Sequence, residues 1–438
     1  MAYKLKAFLI ALVVPFALFA QTQQYSLQEA MDYGIKNNAQ ILSAALDEQD
    51  AQITVNNRIA SGLPQIDASL DYQNFFKLPT SLIPAEFFGG EPGQFIPVQF
   101  GTEQNMTAQI SASQLLFNGA WLVGISAAKE YAALVQKQTR LAETEVKKNV
   151  ETAYYSVLIA KEFEKVLQKN IENLDAVLFE VTEMQKQGFV EGIDVDRLTI
   201  SKLTLNGQLE NAQRQTQLAT NYLKFSMGLD MATNIELTDS IGAMTEVNMV
   251  GTNYLSRPEF SILQSTITLN ELNVKMNKAM FLPTLVAYGS YSQNAQRNSF
   301  DFLDGDQEWF ETGLFGLTLS IPVFSGMERK TGLQAAQIDL DQARIQQQLA
   351  TQGILLEIEK AKTDYINAEN DLNVQTQNIA LAQRIYDTAL IKYREGVGSS
   401  LELNSAESTL YQAQGGYVSA MFNMLNAKTA LNKSLGYY

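Results

Sequence analysis

The sequence predicts a mostly helical fold with a small share of strand, and three observations predict it. First, residues 354 to 396 carry Ala361, Tyr365, Ala368, Leu372, Gln375, Ile379, Ala382, Tyr386, Ala389 and Tyr393 at strict four-three spacing. Ala153, Val157, Ala160, Glu164, Leu167, Ile171, Leu174, Leu178, Val181 and Gln185 repeat that spacing 208 positions earlier, as 153 precedes 361. Such a repeat lays one seam along one helix face, which is what a coiled coil needs. Second, both seams run into a glycine, Gly188 and Gly396, and a new helical pattern begins a few residues later. Third, short stretches ahead of each long helix switch to a period of two, the signature of strands. The chain therefore reads as two copies of one layout, each a helix, a β-hairpin and a long helical hairpin. The copies span residues 21–229 and 256–438, joined by a connector over 230–255, with a signal peptide over 1–20.

Composition narrows the function classes. Among 438 residues there is no cysteine and no histidine. The chain thus has no disulfide and no thiol nucleophile, and it lacks the commonest metal ligand and general base. An enzyme is not expected, nor a cofactor or metal site. The formal net charge of −15 opposes a nucleic-acid partner, because phosphate binding needs a basic surface.

Taken in order, Lys4 and Lys6 precede an apolar run from Ala7 to Ala17, and Leu18-Phe19-Ala20 forms a cleavage site. Ser26 with Glu29 makes a capping box that opens the first helical stretch, which is broken near Asn37-Asn38 and closed by Leu63-Pro64. Ile66, Ala68, Leu70 and Tyr72 then alternate with Asp67, Ser69 and Asp71. Residues 76 to 104, rich in Pro, Gly and Phe, read as a long loop. Weak alternation at Ala108, Ile110 and Ala112 ends at Phe117-Asn118-Gly119. A long helix follows to about residue 187, a turn over 188–192, and a return helix from Asp194 to about 227. The second half repeats the order through Leu282-Pro283, alternation at Leu285, Ala287, Gly289 and Tyr291, a loop at 296–310, and alternation at Phe315, Leu317, Leu319 and Ile321. Phe324-Ser325-Gly326 precedes its long helix, and the return helix ends at Gly436.

The strands carry a problem of their own. Each has one apolar and one polar face, yet the long helices use their apolar stripes on each other. Four strands cannot close a sheet alone, and an open edge is not tolerated in lipid. Subunits must therefore pool strands into a barrel that is apolar outside and polar inside. Two subunits would give a filled eight-stranded barrel; three give twelve strands and room for a channel. The competing reading is an exported coiled-coil structural or adhesion scaffold with its strands folded onto its own helices.

The leader, the doubled layout, Leu-Pro ahead of each first strand, Phe-Asn-Gly and Phe-Ser-Gly after each second strand, Arg257-Pro258-Glu259, and Tyr393-x-x-Gly396 together resemble the TolC-like outer membrane efflux proteins. The resemblance covers the mature chain. It implies a homotrimer whose twelve-stranded β-barrel sits in outer membrane lipid and is continued by a periplasmic α-barrel. It also implies partnership with a periplasmic adaptor (membrane fusion) protein and an inner-membrane pump, in tripartite efflux or type I secretion. Three departures stand out. No cysteine follows the leader, the chain stops two residues after Gly436, and Gly398 lies where some members carry a basic residue that helps hold the tip shut.

The resemblance places Asp194, Glu402 and Tyr393 at the periplasmic aperture, where a ring of carboxylates would favour cations. Ser399-x-x-Glu402 also reads as a capping box. At the turns, Gly188, Gly192, Gly396 and Gly398 are expected to supply left-handed conformations. With Phe189, Val190 and Val397 they form a small apolar tip suited to docking the adaptor. Trp121 and Trp309 sit near strand ends, as interfacial girdles or as loop packing.

Overall fold

The computed structural model of the chain describes residues 23–241 and 254–438. The leader and residues 242–253 of the connector lie outside them. The elements run β1 (Gln23–Tyr25), α1 (Leu27–Asn37), α2 (Ala39–Ala60), β2 (Gln65–Asn74), β3 (Thr80–Pro84), β4 (Phe95–Gln99), β5 (Gln104–Asn118), α3 (Gly119–Lys186) and α4 (Gly192–Met227). They continue with β6 (Ile235–Leu237), α5 (Pro258–Ala279), β7 (Thr284–Arg297), β8 (Phe310–Ser320), α6 (Glu328–Arg394) and α7 (Ser400–Leu435). Helix dominates. The two long helices have 68 and 67 residues, and each return helix has 36.

The chain forms two compact units. One draws on the described residues of Met1–Leu46, Lys137–Ser261 and Leu349–Tyr438. Its core is the pair of seams: Val157, Leu167, Leu174 and Val181 of α3 are buried, as are Ala361, Tyr365, Ala382, Tyr386, Ala389 and Tyr393 of α6. The intervening seam positions Ala368, Leu372, Gln375 and Ile379 are half-buried and nearly all other residues of that stretch are exposed, so burial follows the four-three spacing. Leu198 and Leu205 of α4 and Leu403, Ala406 and Leu410 of α7 complete the core nearest the turns.

At the opposite end of this unit, Ser26 caps α1 with both halves of its box. Its hydroxyl accepts from the Glu29 amide, and the Glu29 carboxylate accepts from the Ser26 amide at 2.8 Å. The connector, which has no periodicity in sequence, contributes β6 as a parallel partner to β1. Three-residue strands carry too few positions to show a period, so their pairing is a tertiary fact. Asp239 follows β6 and accepts from the Leu27 amide at 2.7 Å and from the Tyr154 hydroxyl at 2.9 Å.

The other unit comprises Asp47–Gln136 and Ile262–Gln348. It holds a four-stranded antiparallel sheet in the order β2-β5-β7-β8. Ile267 and Val274 of α5 pack on Ala336, Leu340 and Ala343 of α6. Trp121 is anchored here by donating from its indole to the Arg58 carbonyl at 2.8 Å. Trp309 packs into the β7–β8 loop against Phe302.

One sequence expectation is corrected in this unit. Residues 76 to 104 are not a plain loop: they contain β3 and β4, paired antiparallel with Thr80 opposite Gln99 and Pro84 opposite Phe95. Pro84 and Pro97 stand inside these five-residue strands. Proline reads as a breaker and hides so short an alternation.

Candidate functional site

Register decides what the sheet can do. Between β2 and β5, Ile66 faces Ala112, Ala68 faces Ile110, Leu70 faces Ala108 and Tyr72 faces Met106. Directly opposed residues share a face, so these eight side chains form one apolar surface. It continues across β7 and β8 through Ala287 opposite Leu317 and Leu285 opposite Leu319. The other face carries Asp67 opposite Ser111, Ser69 opposite Gln109, Asp71 opposite Thr107 and Ser292 opposite Thr312.

The alternation of β5 is weak in sequence because of a bulge. The register shifts between Leu115 and Phe117, so Leu116 has no partner strand position. The shift moves Phe117 to the apolar face beside Leu285 and leaves Asn118 on the polar face, donating to the Thr284 hydroxyl at 3.1 Å. Both faces of the sheet lie open on the single chain: Leu70, Ile110, Phe315 and Leu317 of the apolar face are exposed, as are Asp67, Ser69 and Asp71 of the polar face. So do its two edges, β2 and β8. Among the described residues no helix is long and apolar enough to cross a membrane.

The second region is the pair of helix-to-helix turns. α3 ends in a Schellman turn in which Phe189 donates to the Met184 carbonyl and Gly188 to the Gln185 carbonyl, both at 3.0 Å. α6 ends likewise, with Val397 donating to the Lys392 carbonyl at 3.0 Å. Gly188 (φ 81°) and Gly396 (φ 74°) occupy the left-handed region, as expected. Gly192 and Gly398 do not, which corrects the expectation for those two. Gly398 is small for a different reason: a Cβ there would sit 3.0 Å from Lys392 Cβ and from the Tyr393 amide nitrogen. Gly192 meets no such crowding. Phe189 and Val397 are exposed, while Val190 packs partly into the seam core.

The three aperture candidates divide. Tyr393 of α6 is buried, and its hydroxyl has no hydrogen-bond partner. Burial raises its pKa, and the nearby Asp194 charge raises it further. Tyr393 and Asp194 are thus brought together from α6 and α4. Glu402 has a cation of its own. Its amide does donate to the Ser399 hydroxyl at 3.1 Å, but its carboxylate reaches Lys392 Nζ at 3.1 Å instead of returning to the cap. Only half of the expected capping box forms, because a charged partner was within reach.

Sequence reasoning missed the cations at this end. Arg197, one turn after Asp194, lies 3.7 Å from that carboxylate and donates to the Ser400 hydroxyl at 2.7 Å, tying α4 to α7. Arg394 holds Glu180 of α3 through two bonds of 2.8 and 2.9 Å. The spacing of Asp194 and Arg197 was legible as a helical pair. The Glu180 pairing spans 214 positions and leaves no local signal.

Long seam-packed helices in one unit and a sheet with one apolar face in the other are the features shared with outer membrane efflux channels. The sequence model of the family described as outer membrane efflux protein matches residues 256–437. The pyoverdine export outer membrane protein OpmQ of Pseudomonas putida is 23% identical over 349 residues, covering 76% of this chain and 71% of that protein. The outer membrane protein TolC of Escherichia coli is 20% identical over 437 residues, covering 95% and 83%. The open state of the Neisseria gonorrhoeae MtrE outer membrane channel has the same fold, with a TM-score of 0.74 at 16% identity over 94% of this chain and 88% of that one. The chain is thus similar in sequence and in fold to the TolC-like outer membrane efflux channels, with the family model matching its second half.

Proposed function

We propose that three copies of this chain pool their sheets into one twelve-stranded outer membrane barrel, continued by an α-barrel in the periplasm. The assembly is a passive exit duct. An inner-membrane pump drives the substrate and a periplasmic adaptor joins pump to duct, in tripartite efflux or type I secretion. One observation carries this reading: the sheet has an apolar face, a polar face and two unpaired edges. Lipid accepts the first, a wet lumen the second, and only neighbouring copies can pair the third.

Residues 1–20 serve as the export signal. Residues 21–229 and 256–438 are two copies of one layout around the 230–255 connector, a reading supported by long helices of 68 and 67 residues and return helices of 36 each. At the periplasmic end, Asp194, Glu402 and Tyr393 line the aperture. Gly188, Phe189, Val190, Gly192, Gly396, Val397 and Gly398 form the tip that meets the adaptor. Light scattering on the mature protein in mild detergent tests the assembly. A stable trimer is expected, and a monodisperse monomer with native circular dichroism would overturn it.

A further inference from the structure

Glu407 of α7 is a buried acid with half of its carboxylate unpaired. The residue is 2% exposed, and one of its two oxygens has no hydrogen-bond partner. The other accepts from the Tyr411 hydroxyl at 2.9 Å. Both residues line a cavity of about 570 Å³ walled by α3, α4 and α7, together with Ser201 of α4. A buried charge is costly unless it is paired, so a free carboxylate oxygen at a cavity wall calls for a partner.

Charge and size identify that partner. Arg197 of α4 lines the same cavity, but it donates to the Ser400 hydroxyl at 2.7 Å and lies 3.7 Å from the Asp194 carboxylate. Its charge is therefore drawn toward the turn. Tyr411 and Tyr386 of α6, the tyrosines beside Glu407, have raised pKa values and stay neutral. Burial raises the pKa of Glu407 itself, and a bound cation would offset that cost. Water can fill the space but brings no charge to the carboxylate. A bare metal ion is a poor match, since no group of three or more acids that could hold one occurs among the described residues. The volume is that of a small-molecule site, roughly 300–1,000 Å³. The rest of the wall is partly apolar: Leu205 is buried, Phe163 of α3 is half-buried, and Ile200 is exposed.

We propose that this cavity binds a small organic ammonium, its charged head on the Glu407 carboxylate and its apolar body against Phe163, Leu205 and Ile200. The site lies within one chain, so it stands or falls separately from the trimer reading. Benzylammonium is the probe, and benzyl alcohol is its uncharged match. Titration calorimetry on the full chain in mild detergent should show one benzylammonium bound per chain and no saturable binding of benzyl alcohol. Glu407→Gln keeps the volume, removes the charge, and should weaken benzylammonium by about tenfold or more. Phe163→Ala leaves the carboxylate in place and should weaken it severalfold. In the parent, affinity should rise with pH above the usual 4.5, because the head needs the ionised acid. In Glu407→Gln that rise should vanish.

No saturable binding to the parent overturns the site. So does equal binding by the parent and a folded Glu407→Gln, or benzyl alcohol binding as well as benzylammonium. If circular dichroism shows that Glu407→Gln does not fold, the parent's pH profile and Phe163→Ala decide. A flat profile or an unchanged affinity in Phe163→Ala then overturns the proposal, and a rising profile with a weakened Phe163→Ala upholds it.

Discussion

Lys392 holds the Glu402 carboxylate at 3.1 Å, although the two residues flank the Gly396 turn from α6 and α7. Asp194 likewise has Arg197 3.7 Å away. Each aperture acid therefore has a cation near it, and the charge of the proposed ring is a balance between the two signs.

This balance makes ion selectivity tunable in both directions. With three copies around a narrow opening, Lys392→Gln removes three positive charges and should strengthen cation preference. Glu402→Gln frees those lysines and should shift the preference toward anions. Asp194→Asn combined with Glu402→Gln should lower cation preference markedly. Reversal potentials in planar bilayers under a salt gradient measure all three, and the differences should shrink with salt, since screening acts over roughly 10 Å at 0.1 M. Identical potentials for the variants and the parent would remove these residues from the aperture.

The turn glycines should respond unequally. Gly396 sits at φ 74°, so Gly396→Val forces a left-handed β-branched residue at a cost of about 1–2 kcal/mol. Trimer abundance should be normal and export lost. Gly192→Ala, with neither a positive φ nor a close neighbour, should export normally. If Gly396→Val exports as the parent does, the tip is not a docking surface.

Glu407 of α7 should make packing near the turns depend on pH. It is 2% exposed; one carboxylate oxygen accepts from Tyr411 at 2.9 Å and the other has no partner. Burial raises its pKa above the usual 4.5 despite the opposing influence of the Tyr411 and Ser201 hydroxyls. Tyr386 of α6, facing it, is pushed up to about 12, by burial first and then by the Glu407 charge. An acid with a raised pKa in the packed state contributes fully below 4.5 and loses that contribution as pH rises through the raised value. Each unit of difference is worth about 1.4 kcal/mol. Glu407→Gln should flatten the fall in Tm as pH rises above the usual 4.5. An unchanged slope would assign the pH dependence elsewhere.

Arg257 closes the core at the far end of the same unit. Buried, it reaches Glu259 at 2.7 Å, Glu357 at 2.9 Å and the Ser434 carbonyl at 3.5 Å. Burial of Glu259 works against its charge, yet the hydrogen bonds and charge of Arg257 win and hold its pKa below 4.5. The stability from Glu259 is therefore present above about pH 4.5 and is lost as pH falls through the lowered value. Arg257→Met should cost about 1–3 kcal/mol at neutral pH, because the half-buried Glu259 and the buried Ser434 carbonyl lose their donor. The loss should shrink in acid, and thermal melts across pH check both statements.

What the sequence determined by itself is whatever repeats within a few turns of chain. The four-three seams, the period-two strands and the glycine turns are local patterns, and burial along α6 follows the seam residue by residue. Asp194 and Tyr393 stand near the turn glycines in sequence, but it is the family resemblance that places them at the aperture. Pairing across space was beyond it. β1 with β6 and Glu180 with Arg394 join residues more than 200 positions apart, and no periodicity encodes such a partner. The structure also decided between partners that sequence left equal. Ser399-x-x-Glu402 has the spacing of a capping box, yet the Glu402 carboxylate turns to Lys392, because a full opposite charge attracts it more strongly than a neutral amide. Which partner lies in reach is a property of how the helices pack, and only the folded chain holds that information.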